Sequence, residues 1–217
     1  MIILETKKTE IVSKMNNEKK RIELIAKKIF LKNGFHKTSM DEIAKELKVS
    51  KKTVYKYFST KEELVRTIQS GLEKEVRQSL EEIVSSKDNT IVKLRKLSNF
   101  ISDLFLKIGI KWADDLSTYY PQIWNEFEKR RSENITNTFA RILSQGKKEN
   151  LIVDKPNEII VQTITSGLLG VINPDFLIRS NYSLYEAFNI TFDILISGIL
   201  TKKGRKQYKE IKKRDKK

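Results

Sequence analysis

Apolar residues recur at spacings of three and four along most of this chain. Ile22, Ile25, Ala26, Ile29 and Phe30 form one stripe, while Lys19, Lys20, Lys27, Lys28 and Lys32 occupy the other faces. That periodicity predicts a helix with one buried side. Asn33-Gly34 ends it, because glycine accepts the left-handed conformation past a helix end. Phe35-His36-Lys37-Thr38 makes a turn. Ser39 then opens a short helix as N-cap, with Glu42 three residues on in a capping-box pattern and Ile43, Ala44 and Leu47 buried. Lys48-Val49 is a tight connection to a further N-cap, Ser50. After Ser59-Thr60, a long helix follows the seam Leu64, Ile68, Leu72, Val76, Leu80 and Ile83.

The rest of the chain has the same texture. Asp88 or Asn89 caps a segment from Ile91 to Ile108, and Gly109 loosens its end. Trp112–Tyr120 is read as a short aromatic piece, and Pro121 opens a helix closing near Gly146. Pro156 starts another that Asn173-Pro174 breaks, and a last helix runs from about Ser183 to Lys202. No alternating strand pattern bounded by hairpin turns occurs. The expectation is an all-α fold of about nine helices. It comprises a polar leader (1–16), an N-terminal three-helix helix-turn-helix domain (17–63), a C-terminal helical domain (64–202) and a basic tail (203–217) that is solvated and mobile.

Charge sharpens this division. The 217 residues carry 43 Lys and Arg against 28 Asp and Glu, a net charge of +15. Residues 17–70 are net +7 and residues 202–217 net +8, whereas residues 71–201 are net −1. The excess is therefore local, and a local basic excess favours a polyanion partner. There is no cysteine, which excludes disulfides and thiolate metal sites and fits a reducing cytosol. The opening Met1-Ile2-Ile3-Leu4 is too short for a signal peptide, and no run approaches a membrane span. The expected setting is soluble and cytoplasmic.

Ser50–Phe58 carries the candidate chemistry. Val54 and Phe58, four apart, anchor one face. Lys51, Lys52, Thr53, Tyr55, Lys56 and Tyr57 are left for other directions, and no acid interrupts them. A short helix pinned from behind and basic in front suits the DNA major groove, where lysine donates to guanine and the Thr53 methyl meets thymine. Thr38 and Ser39 begin the preceding helix, and Lys61 the following one, where free N–H groups suit a phosphate.

Residues 22–64 resemble the DNA-binding domain of the TetR/AcrR family of transcriptional regulators. The matching positions are Ala26, Phe30, Gly34-Phe35, Thr38-Ser39, Ile43-Ala44, Leu47, Val49-Ser50, Thr53-Val54-Tyr55, Tyr57-Phe58 and Lys61-Glu62-Glu63-Leu64. Family members often have glycine near position 52, so Lys52 is a departure. The resemblance implies a homodimer with a C-terminal domain for ligand binding and dimerisation. It also implies a repressor that binds a palindromic double-stranded operator and is released by a small molecule, with no cofactor and no catalysis. It places groove and phosphate contacts at Lys51, Lys52, Thr53, Tyr55 and Tyr57; with Thr38, Ser39, Ser50, Lys56 and Lys61 these make up the expected DNA-binding set. The alternative is a protein that binds DNA or membrane surfaces through charge alone.

Two further groups have competing readings. Phe100, Leu104, Phe105, Ile108, Trp112, Tyr119, Tyr120, Trp124 and Phe127 either line a pocket for a largely apolar effector or pack a core. Asp103, Asp114 and Asp115 are read as surface residues rather than ligand partners. Ser166-Gly167-Leu168-Leu169-Gly170 places two glycines mid-helix, where each costs about 1 kcal/mol relative to alanine. Close helix approach is the compensation, either within one subunit or at a dimer interface formed by Ile160, Ile164, Gly167, Leu168, Leu195 and Ile199. The resemblance favours the interface, since the family's last two helices build a four-helix bundle. The single histidine, His36, lies in a turn, and no metal-ligand or nucleophile cluster and no phosphate loop is present.

Overall fold

A computed structural model describes residues 2–214, with side chains described at 17–108, 111–173 and 175–213. Helix is the only extended secondary structure among the described residues. The helices are α1 (Ile2–Asn33), α2 (Met40–Leu47), α3 (Lys51–Tyr57), α4 (Lys61–Ser85), α5 (Thr90–Tyr119), α6 (Pro121–Lys148), α7 (Asn157–Val171), α8 (Pro174–Arg179), α9 (Leu184–Ile199) and α10 (Lys202–Arg214). The all-α expectation holds. The count of about nine does not, for three local reasons.

First, Gly109 does not end a helix. α5 continues to Tyr119 because Trp112 and Leu116 bury the far end of its apolar stripe, which outweighs one glycine's weak propensity. Second, Asn173-Pro174 both breaks and starts: Asn173 Oδ1 accepts from Phe176 N–H at 2.9 Å, and proline at the first turn opens α8. Third, the basic tail is a helix. Tyr208 of α10 is buried and Ile211 packs on the neighbouring core, so the expectation of a solvated tail from Lys202 is overturned. An isolated antiparallel bridge between Ile152 and Leu200 separates α9 from α10.

The chain divides into two compact units, Met1–Glu75 with Ile108–Glu126, and Val76–Lys107 with Phe127–Lys217. The first is built on an aromatic centre. Phe30, Phe35 and Trp112 meet edge-on or tilted, with Phe30–Phe35 at 6.0 Å and Phe35–Trp112 at 5.1 Å between centroids. Ile22, Ala26, Ile43, Leu47, Val54, Phe58 and Leu64 close around them. Trp112 Nε1 donates to Gln69 Oε1 at 2.8 Å, which satisfies two polar groups inside this core.

The second unit packs Ile91, Leu94, Leu97, Ile142, Leu143, Ile164, Phe188, Phe192 and Ile196 together. α7 lies along α9. The buried Lys93 donates from Nζ to Val84 O at 2.6 Å and to Gln145 Oε1 at 2.7 Å, so its charge is solvated by protein oxygens.

Candidate nucleic-acid interface

The first unit holds a helix-turn-helix whose parts are set by caps. Ser39 Oγ accepts from Glu42 N–H, and the Glu42 carboxylate accepts from Ser39 N–H at 2.6 Å, a complete capping box for α2. Lys48 ends α2 in the left-handed region at φ 56°, and Val49 N–H donates back to Ala44 O. Ser50 then caps α3, its Oγ accepting from Thr53 N–H at 3.1 Å. Val54 and Phe58 are wholly buried and tie α3 to the core.

With that side fixed, Lys51, Lys52, Tyr55 and Lys56 face solvent, and Thr53 and Tyr57 are half-buried. No acid lies on α3. Lys51 Nζ pairs with Asp41 of α2 at 2.8 Å and lies over the Tyr55 ring. The hydrogen bond to Asp41 is the main reason the Lys51 ammonium sits above its ordinary pKa. Lys56 lies over the Tyr57 ring, whose inner edge packs on the core. Each aromatic therefore positions a neighbouring cation. Asp41 was not among the expected site residues: it lies ten residues before Lys51 in sequence and meets it only because α2 and α3 pack together.

The proposed phosphate seat at the start of α2 is altered by the structure. Thr38 is buried, and its hydroxyl donates to Gly34 O at 2.9 Å, so it does not face a ligand. Ser39 is exposed, but Glu42 already occupies its N–H. Lys61 is partly buried and donates to His36 O at 3.1 Å; burial lowers its pKa first, with Asp115 opposing. Ser50 is exposed, and its hydroxyl lies 2.8 Å from that of Thr53.

The turn between α1 and α2 is held from α5. Asp115 Oδ2 accepts from His36 N–H at 3.1 Å, and the His36 ring stacks on Tyr119 at 3.7 Å with an interplanar angle of 6°. Asp115 is buried, which corrects its reading as a surface residue; Asp103 and Asp114 are exposed as expected. An exposed histidine in this turn was expected too.

The aromatic cluster separates. Trp112 lies in the first unit's core, with Tyr120 and Trp124 packed against it, and Tyr120 sits 5.6 Å from Phe35. Ile108 joins the same core, and Tyr119 is exposed beside His36. For Trp112 the core reading therefore replaces the pocket reading. Phe105 packs edge-on against Phe188 in the second unit, where Phe100, Leu104 and Phe127 are half-buried. In that unit Asn189 Nδ2 donates to Ser102 Oγ at 3.1 Å. A shallow depression of about 440 Å³ lies on α6, lined by Ala140, Arg141, Ser144, Gln145 and Lys148, none of them in the expected set.

The residues expected at an interface also separate. Ile160 and Ile164 are buried in their own subunit, and a β-carbon on Gly167 would meet Leu195 Cδ1 at 2.9 Å, so that glycine serves close packing of α7 on α9. Leu168, Leu195 and Ile199 are half-buried. The apolar residues left outside are Ile159 and Leu169 on α7 and Ile190 and Ile194 on α9, and β-carbons at Gly170 and Gly198 would meet nothing. Among the described residues no three His, Cys, Asp or Glu side chains converge as a metal site, and no helix is long and apolar enough to cross a membrane.

Residues 25–68 match the family described as bacterial regulatory proteins, tetR family. The chain is similar to the HTH-type transcriptional regulator YvaF of Bacillus subtilis (strain 168), 22% identical over 181 residues, covering 83% of this chain and 94% of the relative. Its fold is similar to a transcriptional regulator from Cytophaga hutchinsonii, with a TM-score of 0.69 and 20% identity over 84% of this chain and 98% of that one. It is likewise similar to reduced NemR of E. coli, with a TM-score of 0.67 and 15% identity over 85% and 97% of the two chains.

Proposed function

We propose that this chain is a ligand-responsive transcriptional repressor, binding a palindromic operator as a homodimer; the match of residues 25–68 to bacterial regulatory proteins of the tetR family supports this reading. The observation that carries this reading is α3. Its rear is fixed by Val54 and Phe58, and its front offers Lys51, Lys52, Tyr55 and Lys56 with no acid of its own. Lys51 and Lys52 read base edges, Tyr55 and Lys56 hold phosphates, and Tyr57 and Lys61 set the helix at its depth. Asp41 holds Lys51 extended until DNA takes its place.

The exposed apolar residues of α7 and α9 supply the dimer face, with Ile159, Leu169, Ile190 and Ile194 as its contacts and the bare backbones of Gly170 and Gly198 allowing close approach. The effector is a largely apolar small molecule seated beside Phe100, Leu104 and Phe105, with Ser102 and Asn189 as polar partners. α5 carries these residues and also Asp115 and Tyr119, which hold the α1–α2 turn. Displacement of α5 by the effector is thereby transmitted to the helix-turn-helix.

Competition binding on a palindromic promoter fragment against random duplex tests this. Specific binding weakens about tenfold or more in Lys51→Ala and in Tyr55→Ala, with the dimer intact. Equal affinity and equal salt slope on both DNAs in the parent protein would sink the repressor reading.

A further inference from the structure

α10 packs eight cations and one anion, Glu210, into thirteen residues. It is docked, not free. Tyr208 is buried, Gly204 lies against the Leu151 carbonyl where no side chain fits, and Lys212 pairs with Asp193 at 2.8 Å over the Tyr208 ring. With Gly204, Tyr208 and Ile211 turned inward, the opposite side is fixed in register. Lys202, Lys206, Lys209 and Lys213 recur at spacings of four, three and four, so they share one stripe. All four are exposed, Lys203 and Arg205 flank them, and no exposed residue of α10 is apolar.

Elsewhere in this unit several cations are paired: Lys96 with Asp88, Arg131 with Glu128, and Arg141 with Glu81. The four stripe lysines have no carboxylate partner among the described residues. Residues 71–201 are net −1, so the stripe is a local excess beside a neutral body.

We propose that α10 is a second nucleic-acid contact, sequence-independent, that binds the phosphates of duplex DNA through Lys202, Lys206, Lys209 and Lys213. The stripe is about 17 Å long. A duplex carries about ten charges over that length. An anionic bilayer is the weaker match, because a helix held at a membrane surface inserts an apolar face. Here Tyr208 and Ile211 are already committed to the fold.

The test uses full-length protein and a variant with all four stripe lysines changed to glutamine, followed by anisotropy on a random-sequence duplex at rising salt. The slope of log K against log salt falls by about 0.9 for each lysine engaged, hence by about 2–4 in total. The four-fold Lys→Arg variant keeps the parent slope, and circular dichroism shows both variants folded. The same decrement appears in a Lys51→Ala/Lys52→Ala background, so the outcome is independent of whether α3 reads an operator. An unchanged slope and affinity in the glutamine variant overturns the proposal. So does an unchanged DNA slope with lost binding to phosphatidylserine vesicles, which reassigns the stripe to membranes.

Discussion

Gly34→Ala and Gly71→Ala make the same chemical change in the same unit and are expected to move stability in opposite directions. Gly34 follows α1 at φ 81°, where its N–H donates to Phe30 O at 2.8 Å. A side chain in that left-handed conformation costs about 1–2 kcal/mol. The added β-carbon would also lie 2.7 Å from both Asp115 Oδ2 and Lys111 Cε. Lys111 swings aside at little cost. Asp115 is buried and bound to His36 N–H, so its retreat forfeits a charge-assisted hydrogen bond of about 1.5–3 kcal/mol. Restriction of the unfolded chain returns about 0.4–1 kcal/mol. The net loss is about 2–4 kcal/mol, a fall of about 1 M in the urea midpoint. Gly71 lies within α4, its β-carbon would meet nothing, and alanine there gains about 1 kcal/mol of helix propensity. Both tryptophans, Trp112 and Trp124, belong to this unit, so intrinsic fluorescence follows its unfolding. Midpoints for Gly34→Ala and Gly71→Ala that coincide would refute the assignment of Gly34 and Asp115 as the lock on the α1–α2 turn.

Three other outcomes are expected. Trp112→Phe leaves Gln69 Oε1 buried without its donor and costs about 1–3 kcal/mol in urea unfolding, and adding Gln69→Leu recovers part of it; no recovery would mean the loss lies in ring packing. Burial, and then Asp193, raises the Tyr208 pKa well above its ordinary value. The folded state thus holds that proton more tightly: its contribution is complete below the ordinary value of about 10 and declines as pH rises beyond it. Tyr208→Phe should therefore lose less stability than the parent between about pH 9 and 11, and parallel curves would count against the linkage. Ile194 is 65% exposed, so Ile194→Glu should fold normally yet sediment as a monomer; a persistent dimer would remove this side of α9 from the interface.

Much of the N-terminal unit was legible because its determinants are local. Ser39 with Glu42, Ser50 with Thr53, and Gly34 past α1 act over three or four residues, and the structure realises each of them. The apolar spacing of Val54 and Phe58 likewise settled which side of α3 is buried. The candidate site was legible to the same extent: Lys51, Lys52, Tyr55 and Lys56 face outward as their positions require, whereas Thr38, four residues from Gly34 O, turned inward.

Helical periodicity, local charge excess and caps were thus determined by the sequence alone, since each depends on the chain within one or two turns. Tertiary structure decided which apolar neighbours on a stripe are core and which are surface. Ile160 and Ile164 lie four apart and are buried, whereas Ile190 and Ile194, also four apart, are exposed. It also decided that Trp112 belongs to the core of the unit that holds the helix-turn-helix, and that Asp115 caps a turn 79 residues away in sequence. Finally, it decided that a lysine-rich tail is a helix docked through Tyr208. These depend on pairings between distant segments, whose energy comes from area buried against a partner, and a one-dimensional pattern does not name that partner.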